Sequence, residues 1–112
     1  MKEKAHLPIP AMHAMRKLGQ DINAARRRRR ITIELMAERA NLSRTTIGKI
    51  EKGDPASLIG SYASVLFALG MENRLADLVD SSHDFIGRRL EDENLPKRVR
   101  MPNKRKENAN EQ

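Results

Sequence analysis

Residues Ile31 to Gly53, ITIELMAERANLSRTTIGKIEKG, decide how this chain is read. Thr32 is a good N-cap, because its hydroxyl oxygen accepts from amides that have no partner in the first helical turn. Met36, Ala37 and Ala40 follow at helical spacing, so a helix is expected from Thr32 to about Ala40. Asn41-Leu42-Ser43 interrupts it, and Asn tolerates the left-handed backbone such a break needs. Ser43 then caps a second helix, Arg44 to about Lys52, which Gly53 closes. Met36, Ala37, Ala40, Leu42, Ile47 and Ile50 would hold the two helices together. Arg44, Thr45 and Lys49 fall on the outer side of the second one.

Two short helices joined by a tight turn can seat the second helix in the major groove of DNA. The ordered residues also resemble the helix-turn-helix of lambda-repressor-like (Xre-type) regulators. The shared series is Thr32, the small Ala37, the turn, and Ser43-Arg44-Thr45-Thr46-Ile47-Gly48-Lys49-Ile50-Glu51-Lys52-Gly53. Leu18-Gly19-Gln20 resembles the opening of the family's preceding helix, and the likeness ends near Asp80. Ser-x-x-Thr alone is common, but the whole series with its spacing is specific. The family often has Gln directly after the Thr cap, where it contacts the DNA backbone. Ile33 stands there in this chain and cannot donate a hydrogen bond, so that contact is not carried over.

The resemblance implies an all-α fold, a five-helix lambda-repressor-like DNA-binding domain. It implies that Arg44, Thr45 and Lys49 read bases, with Ser43 and Thr46 nearer the backbone. Arg44 would pair with guanine, and Thr45 would touch a thymine methyl or make a hydrogen bond. Gly48 inside this helix costs roughly 1 kcal/mol against Ala. It would either allow close approach to DNA or simply be tolerated.

Charge is partitioned along the chain. Residues 16–53 hold eleven Lys/Arg against four Asp/Glu, residues 54–95 hold three against eight, and residues 96–112 hold six against two. A uniformly basic surface would not divide this way, so a DNA-facing side and a separate side are expected. The run Arg26 to Arg30 ends the first helix, where cations suit the helix dipole. Arg26 and Arg30 are expected to give phosphate contacts and salt-dependent affinity. Lys52 and the amide end of a fourth helix near Ser57 are further phosphate candidates.

Outward from the motif, residues 1–13 carry Pro8 and Pro10 and read as a flexible arm. Met15, Leu18, Ile22 and Ala25 form an apolar stripe on a first helix from about Ala14 to Arg29. Ser57 is expected to cap a fourth helix ending near Leu69, with Leu58, Tyr62, Val65, Leu66 and Leu69 inside. A fifth helix, about Glu72 to Val79, would bring the DNA-binding domain to residue 80. Residues 81–94 hold one more helical turn around Phe85, Ile86 and Leu90, and form a dimer or partner segment. The basic tail, 95–112, has the composition of a disordered segment.

With aromatic residues at 3% and no Trp, the core must be aliphatic, supplied by Met, Leu, Ile and Ala. No cysteine is present, which excludes disulfides and Cys-ligated zinc. His6, His13 and His83 show no ligand spacing, and no nucleophile–base pair or phosphate-cradling glycine loop stands out. The expectation is a binding protein without catalytic residues, metal or cofactor, and not an enzyme. No segment has the apolar length of a signal peptide or a membrane span, which fits a bacterial cytoplasmic, nucleoid-associated protein.

One recognition helix covers only a few base pairs, so a homodimer on an inverted repeat in double-stranded operator DNA is expected. Leu75, Leu78, Val79 and Phe85 exceed what so small a core needs, and are assigned to the dimer or partner interface. Size, the acidic segment and the basic stretch Leu95-Pro96-Lys97-Arg98-Val99-Arg100 also resemble Hip-type (high-persistence) antitoxins. That likeness implies a kinase-like toxin as partner and joint repression of the shared operon. A stand-alone or phage-type repressor, and a bridging protein that binds DNA without sequence preference, are the competing readings.

Overall fold

The stripe of Met15, Leu18, Ile22 and Ala25 lies on a helix longer than its periodicity suggests: α1 runs Ile9–Arg28. The computed structural model describes residues 6–93. α1 starts at Ile9 rather than near Ala14. Pro8 is its N-cap and Pro10 lies in the first turn, where an N–H has no intrahelical partner to lose. The Pro8 carbonyl accepts the Met12 amide at 3.0 Å. Part of the expected arm is therefore helix, and its first five residues lie outside the described residues.

The next two helices follow their caps. α2 is Ile33–Ala40, with the Thr32 hydroxyl accepting from the Leu35 amide at 3.0 Å. α3 is Arg44–Glu51, with Ser43 accepting from the Thr46 amide at 3.0 Å. α4 (Ile59–Ala68) begins later than expected, because Ser57 does not cap it. Its hydroxyl donates to Asp54 Oδ2 at 2.8 Å, and the N-cap is Leu58. Leu58 is consequently 75% exposed rather than part of the buried face. α5 (Glu72–Ala76) stops before Leu78 and Val79. It has no fully buried residue, so little burial rewards extending it.

Helices α1 to α4 end in one way. A residue in the left-handed region follows each: Arg30 (φ 54°), Asn41 (φ 58°), Gly53 (φ 77°) and Gly70 (φ 77°). In each case the amide of the next residue bonds a carbonyl five positions back, as Ile31 to Arg26 at 3.2 Å and Leu42 to Ala37 at 2.9 Å. This is the Schellman closure, which satisfies carbonyls that the helix leaves open. The repeated device explains why the turns between elements are short and fixed.

Met36, Ile47, Ile50 and Val65 are the largest fully buried side chains, joined by Ile22, Ala25, Ile31, Tyr62, Leu66 and Leu69. The core is aliphatic apart from Tyr62, as composition requires. α3 contacts both α1 and α2, and α4 packs on α2 and α5. At the α1–α3 crossing the backbones meet. A Cβ on Gly19 would lie 2.5 Å from the Gly53 nitrogen and 2.7 Å from the Ile50 carbonyl oxygen. A Cβ on Gly53 would collide with the Met15 carbonyl. Gly19 and Gly53 are thus paired by contact, although they lie far apart in the chain.

The contacts divide the chain after Asp77. The second unit contains a 3-10 turn, Ser81–His83, and α6, Phe85–Glu93. This is a two-turn helix where a single turn was expected, giving six α-helices among the described residues rather than five. Asp80 Oδ1 accepts the Ser82 amide at 2.8 Å, and Asp84 Oδ1 accepts the Gly87 amide at 3.0 Å. The hydrogen bonds to Ser82 hold the Asp80 carboxyl below its ordinary pKa. Leu78, Val79, Phe85, Ile86 and Leu90 are all exposed. The tail, from residue 94 on, lies outside the described residues.

Candidate nucleic-acid interface

The outer face of α3 follows from its period. Ile47 and Ile50 are buried, which turns Arg44, Thr45, Gly48, Lys49 and Lys52 to the opposite side. Arg44, Thr45, Lys49 and Lys52 are exposed there, and a Cβ added to Gly48 would have nothing within 4 Å. This face therefore presents three long cations and a short hydroxyl around a smooth patch of backbone. Thr46 is half-buried, and its hydroxyl shares a 2.9 Å hydrogen bond with the Ser43 hydroxyl. Both of these side chains are engaged at the helix start.

What holds α3 in place is an ion pair buried in unit one. Arg26 Nε donates to Glu51 Oε2 at 2.6 Å, and Nη2 donates to Oε1 at 3.2 Å. The side chains are only 10% and 7% exposed. Asn23 Nδ2 donates to Glu51 Oε1 at 2.7 Å, and Arg26 Nη1 donates to the Ile31 carbonyl at 2.8 Å. Every charge in this cluster is matched, as burial demands. The expectation that Arg26 contacts phosphate is therefore corrected. Its guanidinium is enclosed and fastens the end of α3 to α1.

The other arginines of the run differ. Arg27, Arg28 and Arg30 are exposed, while Arg29 Nη1 donates back to the Ala25 carbonyl at 3.0 Å. Arg30 stands at the left-handed position after α1, outside the helix. Ser57, the other weak phosphate candidate, has its hydroxyl proton committed to Asp54. The loop it belongs to is braced by the Tyr62 hydroxyl, which donates to the Asp54 carbonyl at 2.7 Å. Burial, and to a lesser degree the Asp54 charge, pushes the Tyr62 pKa up. Among the described residues no side chain caps the first amides of α4.

Two residues escaped the sequence reading. Asn23 joins the Arg26–Glu51 cluster from one turn earlier on α1. Glu34 accepts from Arg44 Nη1 at 3.0 Å, linking the starts of α2 and α3. Ten residues separate that pair in the chain, which is no helical spacing. Only the closure at Asn41 brings them together. Of the expected interface residues, Leu75 is partly buried against the core, whereas Leu78, Val79 and Phe85 are exposed.

Residues 22–58 match the family described as Helix-turn-helix. The match spans a third of the chain, from the second half of α1 to the loop before α4, and so includes α2, α3 and the Arg26–Glu51 cluster. It supports a DNA-binding transcription regulator. No curated protein and no solved structure matches the chain. Among the described residues no helix is long and apolar enough to cross a membrane, and no cluster of His, Cys, Asp or Glu is placed to hold a metal.

Proposed function

We propose that this chain is a sequence-specific repressor that occupies an inverted-repeat operator as a homodimer. The outward face of α3 carries the proposal: Arg44, Thr45 and Lys49 project from a helix fixed on its other side by Ile47, Ile50 and Glu51. A rigid helix bearing Arg and Thr suits base edges in a major groove. Arg30 and Lys52 supply phosphate contacts, with exposed Arg27 and Arg28 beside Arg30. One such face covers few base pairs, so two copies are required for a useful site. Leu78, Val79 and Phe85 provide the pairing surface.

A second observation favours a protein partner as well. The nine-residue α6 has no buried residue, and so short a helix is marginal in water by itself. It carries the exposed apolar Ile86 and Leu90 and, in its last turn, the carboxylates Glu91, Asp92 and Glu93. We assign this unit to docking as well as pairing, with the kinase-like toxin of a Hip-type toxin–antitoxin pair as the partner. Repression of the shared operon in the bacterial cytoplasm follows from that assignment.

The test is recovery of the tagged full chain from its own cells, with bound DNA sequenced and bound protein identified. An inverted repeat upstream of the gene together with a kinase-like protein is the expected result. The repeat without that protein would leave a stand-alone repressor. Sequence-blind DNA recovery would replace the proposal with a bridging protein. A monomer mass independent of concentration would refute the dimer.

A further inference from the structure

We propose that Glu34 is a specificity-determining residue that acts by aiming Arg44, although Glu34 itself touches no base. The inference rests on the DNA-binding reading and adds to it a residue on α2.

Arg44 opens α3, and its side chain is 68% exposed. A free arginine at a groove edge satisfies a phosphate as readily as a guanine, and phosphate contacts carry no sequence information. Here the side chain is tethered, because Nη1 donates to Glu34 Oε2 at 3.0 Å. The tether is itself fixed. Glu34 is the second residue of α2, where partnerless amides favour an anion. Its own backbone amide, then Arg44, and lastly the Thr32 hydroxyl hold its carboxyl below the ordinary value of 4.5. Thr32 is locked in turn as the α2 cap. Glu34 thus sits in the capped first turn of α2 with its carboxylate on the tip of the reading residue.

The tether leaves the reading competent. A guanidinium has five N–H groups, and one is engaged here. A bidentate contact to guanine O6 and N7 needs two more. Arg44 can hold Glu34 and a guanine together. The carboxylate also disfavours phosphate at the start of α2, where Ile33 offers no donor. Both effects turn Arg44 away from the backbone and toward the bases.

The experiment selects bound duplexes from a randomised library with the purified full chain. It compares wild type, Arg44→Ala, Glu34→Gln and the double variant, followed by salt titration of binding. Wild type is expected to show a guanine position that Arg44→Ala loses. Glu34→Gln keeps the shape of an exposed side chain, so the fold is retained. It should weaken discrimination at that position by about tenfold, out of the roughly 5- to 150-fold a bidentate pair confers. The slope of log affinity against log salt should steepen by about 0.9, because the released Arg44 turns to a phosphate. In the Arg44→Ala background Glu34→Gln should change neither quantity. Unchanged preference and slope in Glu34→Gln would overturn the inference alone, as would a loss spread evenly over all positions. Failure of wild type to enrich any sequence would overturn the DNA-binding reading and this inference with it.

Discussion

The arrangement around Glu51 predicts that Arg26 is worth more to the fold than any exposed arginine of its run. Arg26→Ala leaves a carboxylate whose side chain is 7% exposed with Asn23 as its remaining side-chain donor, and it strips the Ile31 carbonyl of a partner. Removing one member of a buried pair costs about 3–5 kcal/mol. A unit of this size has a total stability of about 4–11 kcal/mol. The loss therefore removes from about a quarter to all of it, a fall in Tm of roughly 12–40 °C. Urea unfolding followed by circular dichroism is the assay, with Arg26→Met, Glu51→Leu and the double variant closing a cycle. The apolar double variant should recover most of the loss, since well-packed hydrophobic replacements of buried pairs are often neutral. A coupling of about 2 kcal/mol or more is expected. If Arg26→Ala costs less than about 1 kcal/mol, or if the single losses simply add, the pair does not anchor α3 and the reasoning fails.

Three further outcomes follow from named positions. Gly48→Ala should raise stability by about 1 kcal/mol, since its Cβ meets nothing within 4 Å, whereas Gly19→Ala should cost several times that because its Cβ would strike backbone atoms of α3; equal melting shifts would refute the contrast. Arg30→Gly should stabilise by about 1 kcal/mol by relieving an L-residue at φ 54°, yet lower the salt slope of DNA binding by about 0.9. A stabilised variant with an unchanged slope would show that Arg30 reaches no phosphate. Tyr62 is the chain's one tyrosine, so phenolate absorbance during an alkaline titration reports it directly. With its folded pKa raised, it contributes stability that is present below pH 10.0 and is lost as pH rises through the folded value. A titration midpoint at or below 10.0 would contradict its burial.

What was legible in the sequence, and what was not, separates by the range of the interaction. Thr32, Asn41 and Ser43 act on backbone groups within five residues of themselves, so α2, the turn and α3 could be placed almost to the residue. The same local logic failed at Ser57, whose hydroxyl donates to the Asp54 carboxylate and accepts from no amide of α4. It failed at Pro8 and Pro10 for a related reason. A proline before or within the first turn looks the same in sequence whether it ends an arm or begins a helix.

The fate of Arg26 was illegible in a different way. Five arginines in a row are equivalent until α3 packs on α1 and brings Glu51 beside one of them. The choice depends on the Gly19–Gly53 crossing, which joins residues 34 positions apart. Glu34 belongs to the same class, since its partner is set by the closure at Asn41 and not by any spacing along a helix. This makes the asymmetry between the two Arg–carboxylate pairs informative. Arg26 and Glu51 are enclosed, and each guanidinium nitrogen donates to a partner, so their bond serves the fold. Arg44 and Glu34 are both about two-thirds exposed, so their bond adds little to stability and leaves the guanidinium available. The chain uses one kind of contact twice, buried to fix where α3 lies and exposed to direct what its first residue meets.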